Sequence, residues 1–154
     1  MRWNQGREVI SDMLRDRTVD RVTASREHAD EMLAQARAHV ETARREASRD
    51  AIGAYQLLYD GARKALAAIL ENQGLRAKSR GGHIAVLDAA RAQLDPPMGD
   101  VIRRFGAMRR RRNDVEYPDV ATKPVDAEEV NAAIPHAQAI IDLADRVLDQ
   151  MSPF

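Results

Sequence analysis

Apolar residues in this chain recur every three or four positions, and that spacing constrains the fold more than any other feature. Val130, Ile134, Ala137, Ile141, Ala144, Leu148 and Met151 form one unbroken stripe, and Ala29, Met32, Leu33, Ala36, Val40, Ala43 and Ala47 form another. At about 100° per residue, such positions share one face of an α-helix. No stretch alternates β-branched and polar residues as a half-buried strand would. The expected class is therefore all-α, a bundle of five or six closely packed helices with no sheet. At 154 residues the chain fits one domain, 1–154, with a core that needs no staples.

Taken in order, residues 4–15 read as a first helix, with Val9, Ile10, Met13 and Leu14 on one side and Trp3 as a lid. Thr18 to Val22 is a connector. Thr23 or Ser25 caps the second helix, whose first turn carries Glu27. Ser48 is the expected N-cap of a third helix running to about Asn72, with Gly74 as its stop. Ala51, Ala54, Tyr55, Leu58, Ala62, Leu66, Ile69 and Leu70 make its buried face. Leu75 to Gly82 reads as a loop, and its Gly81-Gly82 pair beside Arg76, Lys78 and Arg80 lacks the spacing of a phosphate-binding P-loop. A fourth helix, Ile84 to Leu94, has Ile84, Leu87, Ala90 or Arg91, and Leu94 as its stripe. Pro96-Pro97 ends it, with Pro97 acceptable in the first turn of the next helix. After Pro118 comes an irregular link to Val125, then a last helix capped by Asp126, with Glu129 completing a capping box. Pro135 should kink that helix or displace its start.

The chain has no cysteine, which excludes disulfides and thiolate metal sites and agrees with the cytoplasmic localisation expected here. The first residues lack the apolar run of a signal peptide, and no later run is long enough to span a bilayer. His28, His39, His83 and His136 are scattered outside any recognised metal-binding motif, so neither a metal site nor a cofactor is expected. Net charge is zero, so whole-molecule attraction to nucleic acid is not implied. Local charge says more. Arg103, Arg104, Arg109, Arg110, Arg111 and Arg112 have no acid among them, whereas the last helix is acidic.

The pattern changes character between Met98 and Pro118. Met98, Val101, Ile102 and Phe105 define an apolar stripe that, carried forward, runs through Arg109, Arg112 and Glu116, with Asn113 on its shoulder. Arg110 and Arg111 point elsewhere and read as solvated charges. Charge on a buried face is tolerated only when it is paired or functional, so the candidate site lies here. In the third helix Asp60 and Arg63 lie three residues apart and within reach of each other. They read either as support for a buried arginine on a neighbouring helix or as a surface ion pair of little worth.

Three segments resemble HEPN domains, and one bacterial subfamily in particular. They are Tyr59-Asp60-Gly61-Ala62-Arg63-Lys64, the run Gly-Leu-Arg-x-x-Ser-Arg-Gly-Gly-His ending at His83, and Arg-Arg-Arg-Arg-Asn-x-x-Glu-Tyr-Pro from Arg109 to Pro118. Arg112 matches the arginine of the family's RxxxxH motif and Asn113 the polar residue that often follows it, while Tyr117 stands at the histidine position. The resemblance implies a homodimeric helical bundle with two motif copies across a shared cleft. It also implies RNA as ligand, a metal-independent endoribonuclease chemistry, and a role in toxin–antitoxin systems beside a nucleotidyltransferase antitoxin, or in phage defence. On this reading Arg112, Asn113 and Tyr117 are the catalytic set, Arg109, Arg110 and Arg111 contact phosphate, and Glu116, Asp60 and Arg63 support them. A phenol with a reference pKa of about 10 is a poor base where imidazole, at about 6.5, is a good one. The expectation is therefore RNA binding with weak or absent cleavage. The alternative is a non-catalytic, dimeric protein-interaction module in which the Arg/Asn/Glu cluster is structural.

Overall fold

The computed structural model describes residues 3–154. Among these, the elements in chain order are α1 (Arg7–Arg15), β1 (Val19–Arg21), α2 (Arg26–Glu46), α3 (Ala51–Gln73), β2 (Leu75–Ala77), α4 (Gly82–Leu94), α5 (Gly99–Glu116) and α6 (Ala127–Leu148). The class is all-α, and none of these helices is long and apolar enough to cross a membrane. The centre of the bundle is α3, buried nearly all round and packed on α2, α6, α5 and α4. Small residues make that packing close. A Cβ placed on Gly61 would come within 3.0 Å of the Ala36 carbonyl oxygen on α2.

The periodic stripes of α2, α3 and α6 form the core as expected, with Leu33, Val40, Leu58, Leu66, Ile140 and Ile141 among its buried side chains. Tyr59 is buried beside them, so α3 carries a wider apolar face than its stripe suggested. Gly74 ends α3 in the left-handed region, at φ 80°, where its N–H closes onto the Glu71 and Leu70 carbonyls.

Several local expectations fail. A short antiparallel pair exists, Val19 opposite Ala77 and Arg21 opposite Leu75, where a connector and a loop were expected. Each strand has three residues, too few to show alternation. The N-cap of α3 is Asp50, whose side chain accepts from the Gly53 N–H, not Ser48. The stripe of α4 holds at Leu87, Ala90 and Leu94, but its first position fails: Ile84 is 52% exposed, and Val86 faces the core. Pro97 lies outside α5, whose N-cap is Met98. At the start of α6, Asp126 accepts from the Glu129 N–H, but the Glu129 carboxylate receives Arg111 of α5 rather than completing a capping box. The helix then runs on through Pro135, whose place does not displace its start.

Candidate functional site

Helices α3, α4 and α5 converge on a cavity of about 300 Å³ lined by Gly53, Gln56, Leu57, Tyr59, Asp60, His83 and Arg112. Tyr59 is its fixed wall, 1% exposed. The phenol ring runs nearly parallel to Phe105 of α5 (centroids 5.5 Å apart) and to His83 of α4 (5.6 Å). The Tyr59 hydroxyl and His83 Nδ1 share a hydrogen bond of 2.8 Å. Arg112 enters from α5, its guanidinium carbon 6.0 Å from the Tyr59 ring centroid. Its Nη2 lies 3.5 Å from Glu116 Oε2, with the two side chains 26% and 33% exposed. Gln56 on α3 donates to that same Glu116 oxygen at 3.2 Å.

Asp60, in the cavity lining, is surrounded by basic side chains. Arg63 donates to Asp60 Oδ1 at 2.6 Å, Lys64 Nζ lies 3.0 Å from Oδ2, and His39 Nε2 of α2 is 3.4 Å from that oxygen. Burial works to raise the Asp60 pKa, but hydrogen bonds from Arg63 and Lys64 outweigh it and hold the carboxyl below its ordinary value. Arg109, one turn before Arg112 on α5, has its Nε buried with no hydrogen-bond partner among the described residues. Of these charged groups Arg112 and Asp60 line the cavity, and Arg63, Lys64, Arg109 and Glu116 lie outside its lining. Burial lowers the His83 pKa, and Arg63 and Arg112 lower it further, favouring neutral imidazole. Burial also pushes the Tyr59 phenol up to about 12, so it stays protonated.

The structure therefore brings together Arg112, Asp60 and Arg63, with Glu116 behind Arg112. Arg110 is exposed, as are Asn113 and Tyr117, and neither Asn113 nor Tyr117 lines the cavity. Tyr117 caps the end of α5 and is 74% exposed. Arg111 departs from the solvated role expected of it. Its Nε donates to Glu129 at 3.0 Å and its Nη2 to the Lys123 carbonyl at 2.8 Å, tying α5 to the segment before α6. The expectation that Asp60 supports a neighbouring helix's arginine takes another form, since Asp60 binds Arg63 and Lys64 while Arg112 goes to Glu116. Tyr59 and His83 are the site residues that sequence reasoning did not select. The available signal was that Tyr59 opens, and His83 closes, two of the three segments carrying the family resemblance.

Among the described residues no three His, Cys, Asp or Glu side chains gather as metal ligands. Chemically, the cavity offers the Arg112 guanidinium, suited to bidentate contact with phosphate, a neutral imidazole and a protonated phenol. No family model, curated protein or solved structure matches this chain.

Proposed function

We propose that the chain is a HEPN-like RNA-binding protein that seats a backbone phosphate against Arg112 and its neighbours. On this reading it acts as a homodimer in a toxin–antitoxin or phage-defence system, beside a nucleotidyltransferase-type partner. The observation that carries the reading is that Arg112 lines the cavity with its side chain 26% exposed, while Arg63 and Arg109 lie near enough to act on His83 in its wall.

One observation favours the protein-interaction reading instead. Two motif arginines already have carboxylates, Arg111 with Glu129 and Arg112 with Glu116. Replacing Arg112 by Ala separates the two. A charged contact to phosphate is worth about 1.5–3 kcal/mol, so binding of a fluorescent single-stranded RNA should weaken roughly 10- to 150-fold by anisotropy. The Arg112–Glu116 pair is partly exposed, so its loss should lower fold stability by less than about 1 kcal/mol. Unchanged RNA affinity with a loss of stability or assembly would leave the structural reading standing.

A further inference from the structure

We propose that the groove between α5 and α6 binds a small aromatic carboxylate, held at depth by the Tyr55 hydroxyl and at the mouth by Arg104. The inference is independent of the RNA-binding reading, because the groove and the Arg112 cavity share no lining residue. A cavity of about 320 Å³ opens there, with Ala107 and Met108 of α5 on one wall and Ala132 and Ala133 of α6 on the other. Ligand cavities run from about 300 to 1,000 Å³ and are mostly apolar with a few placed polar groups, so this one suits a molecule built on a single ring.

Those polar groups point to the ligand. Tyr55 reaches the groove from α3 and is 4% exposed. Its hydroxyl has no hydrogen-bond partner among the described residues, and Glu129 and Arg111 act on it only through their charge. Burial first, and then Glu129, push its pKa up to about 12, so it stays a phenol with a proton to donate. A buried polar group with nothing to bind is uncommon in a folded protein.

At the exposed edge, Arg104 has no carboxylate partner among the described residues and lies 3.0 Å from His136 Nδ1. A guanidinium only donates, so Nδ1 accepts. Burial lowers the His136 pKa, and Arg104 lowers it further, favouring the neutral ring. That ring carries its proton on Nε2, a second donor at the mouth. The one carboxylate in the lining is already engaged, since both Glu129 oxygens accept from Arg111 Nε, at 3.1 and 3.0 Å. Donors are left over at both ends of the groove. An apolar ring therefore fits between the walls, with a carbonyl oxygen accepting from Tyr55 and a carboxylate accepting from Arg104 and His136. An amine would meet only donors, and a nucleobase brings N–H groups that find no free acceptor here.

The test is titration with para-acetylbenzoate, which carries both acceptors on one ring, followed by backbone amide NMR. Saturable shifts are expected at Ala107, Met108, Ala132 and Ala133, with the amides around Arg112 unmoved. Tyr55→Phe should weaken binding about 3- to 10-fold, the worth of one neutral hydrogen bond. It should be no less stable to urea than the parent, since it removes a hydroxyl that bonds to nothing. para-Isopropylbenzoate, which keeps the shape without the carbonyl, should bind the parent and Tyr55→Phe alike. Arg104→Gln should cost about 10-fold or more, whereas uncharged para-acetylbenzamide should be indifferent to that change. Ala132→Leu, at an exposed position, should block the groove and abolish the shifts with the helical signal intact. No saturation by about 10 mM overturns the proposal. So does a Tyr55→Phe protein that unfolds earlier in urea, or one that binds para-acetylbenzoate as the parent does. Displacement of the probe by an oligoribonucleotide, with RNA affinity falling in Tyr55→Phe, would assign the groove to a nucleobase and overturn it too.

Discussion

Gln73 and Gln93 are each 2% exposed and exchange two side-chain hydrogen bonds, at 2.7 and 3.1 Å, between α3 and α4. Gln73 also accepts the Phe154 N–H on its backbone carbonyl, and the Gln93 carbonyl accepts the Trp3 indole N–H. Replacing Gln93 by Leu strands a buried amide, at a cost of about 1–3 kcal/mol. Urea denaturation should show that loss, and the Gln73→Leu/Gln93→Leu double variant should recover much of it. If the single variant is as stable as the parent, the pair is not what holds α3 to α4. No sequence pattern announces this pair, because both glutamines sit 20 residues apart on helical positions that usually face water. The same blindness hid His83. Its partner lies 24 residues upstream, and a lone histidine near a glycine pair has no periodic signature. Arg112 was legible, because there a charge interrupts an apolar stripe. Arg111 was not, since its place on the wheel gives no hint that Glu129 comes across to meet it.

Helices were read well where the apolar repeat exceeded four turns, as in α2, α3 and α6. Starts and short elements were read poorly. Ser48 and Asp50 are both good caps, and only the chain's path decides between them. The three-residue strands exist because β1 meets β2 across the whole of α2 and α3. One contact shows how this corner is held. Glu71, at the end of α3, has a side chain only 6% exposed and accepts from Arg76 of β2 at 2.6 and 3.2 Å. Glu71 is buried, but Arg76 is more than half exposed, so solvent screens part of the pair. Arg76→Ala should lower stability by about 1–3 kcal/mol at neutral pH, read from the urea midpoint. Glu71→Gln in that background should return part of it, because the charge is gone. A loss below about 1 kcal/mol would mean that water solvates Glu71 well enough to replace the guanidinium.

Across the whole molecule, positive charge gathers on α5 and negative charge on α6, two helices that pack together and are joined by the Arg111–Glu129 pair, in a chain of zero net charge. The segment after α5 exposes Tyr117 and Val120, at 74% and 109%, next to the arginine run. These are the side chains that the proposed homodimer would cover. Light scattering at micromolar concentration should give twice the 17.2 kDa mass, and a clean monomer counts against dimerisation. It would leave the one-chain site of Tyr59, His83 and Arg112 untouched.

The 2.8 Å bond between Tyr59 and His83 also has an evolutionary side. A phenol 1% exposed that loses its one hydrogen-bond partner among the described residues is a burden on the fold, so the two positions are not free to drift apart. A lineage that abandons the imidazole gains by exchanging the tyrosine for phenylalanine, whereas one that keeps the tyrosine keeps a hydrogen-bonding residue at position 83. Descendants of this chain would therefore be recognised by a coupled pair on two helices. A fixed-spacing motif on one helix would pass them by.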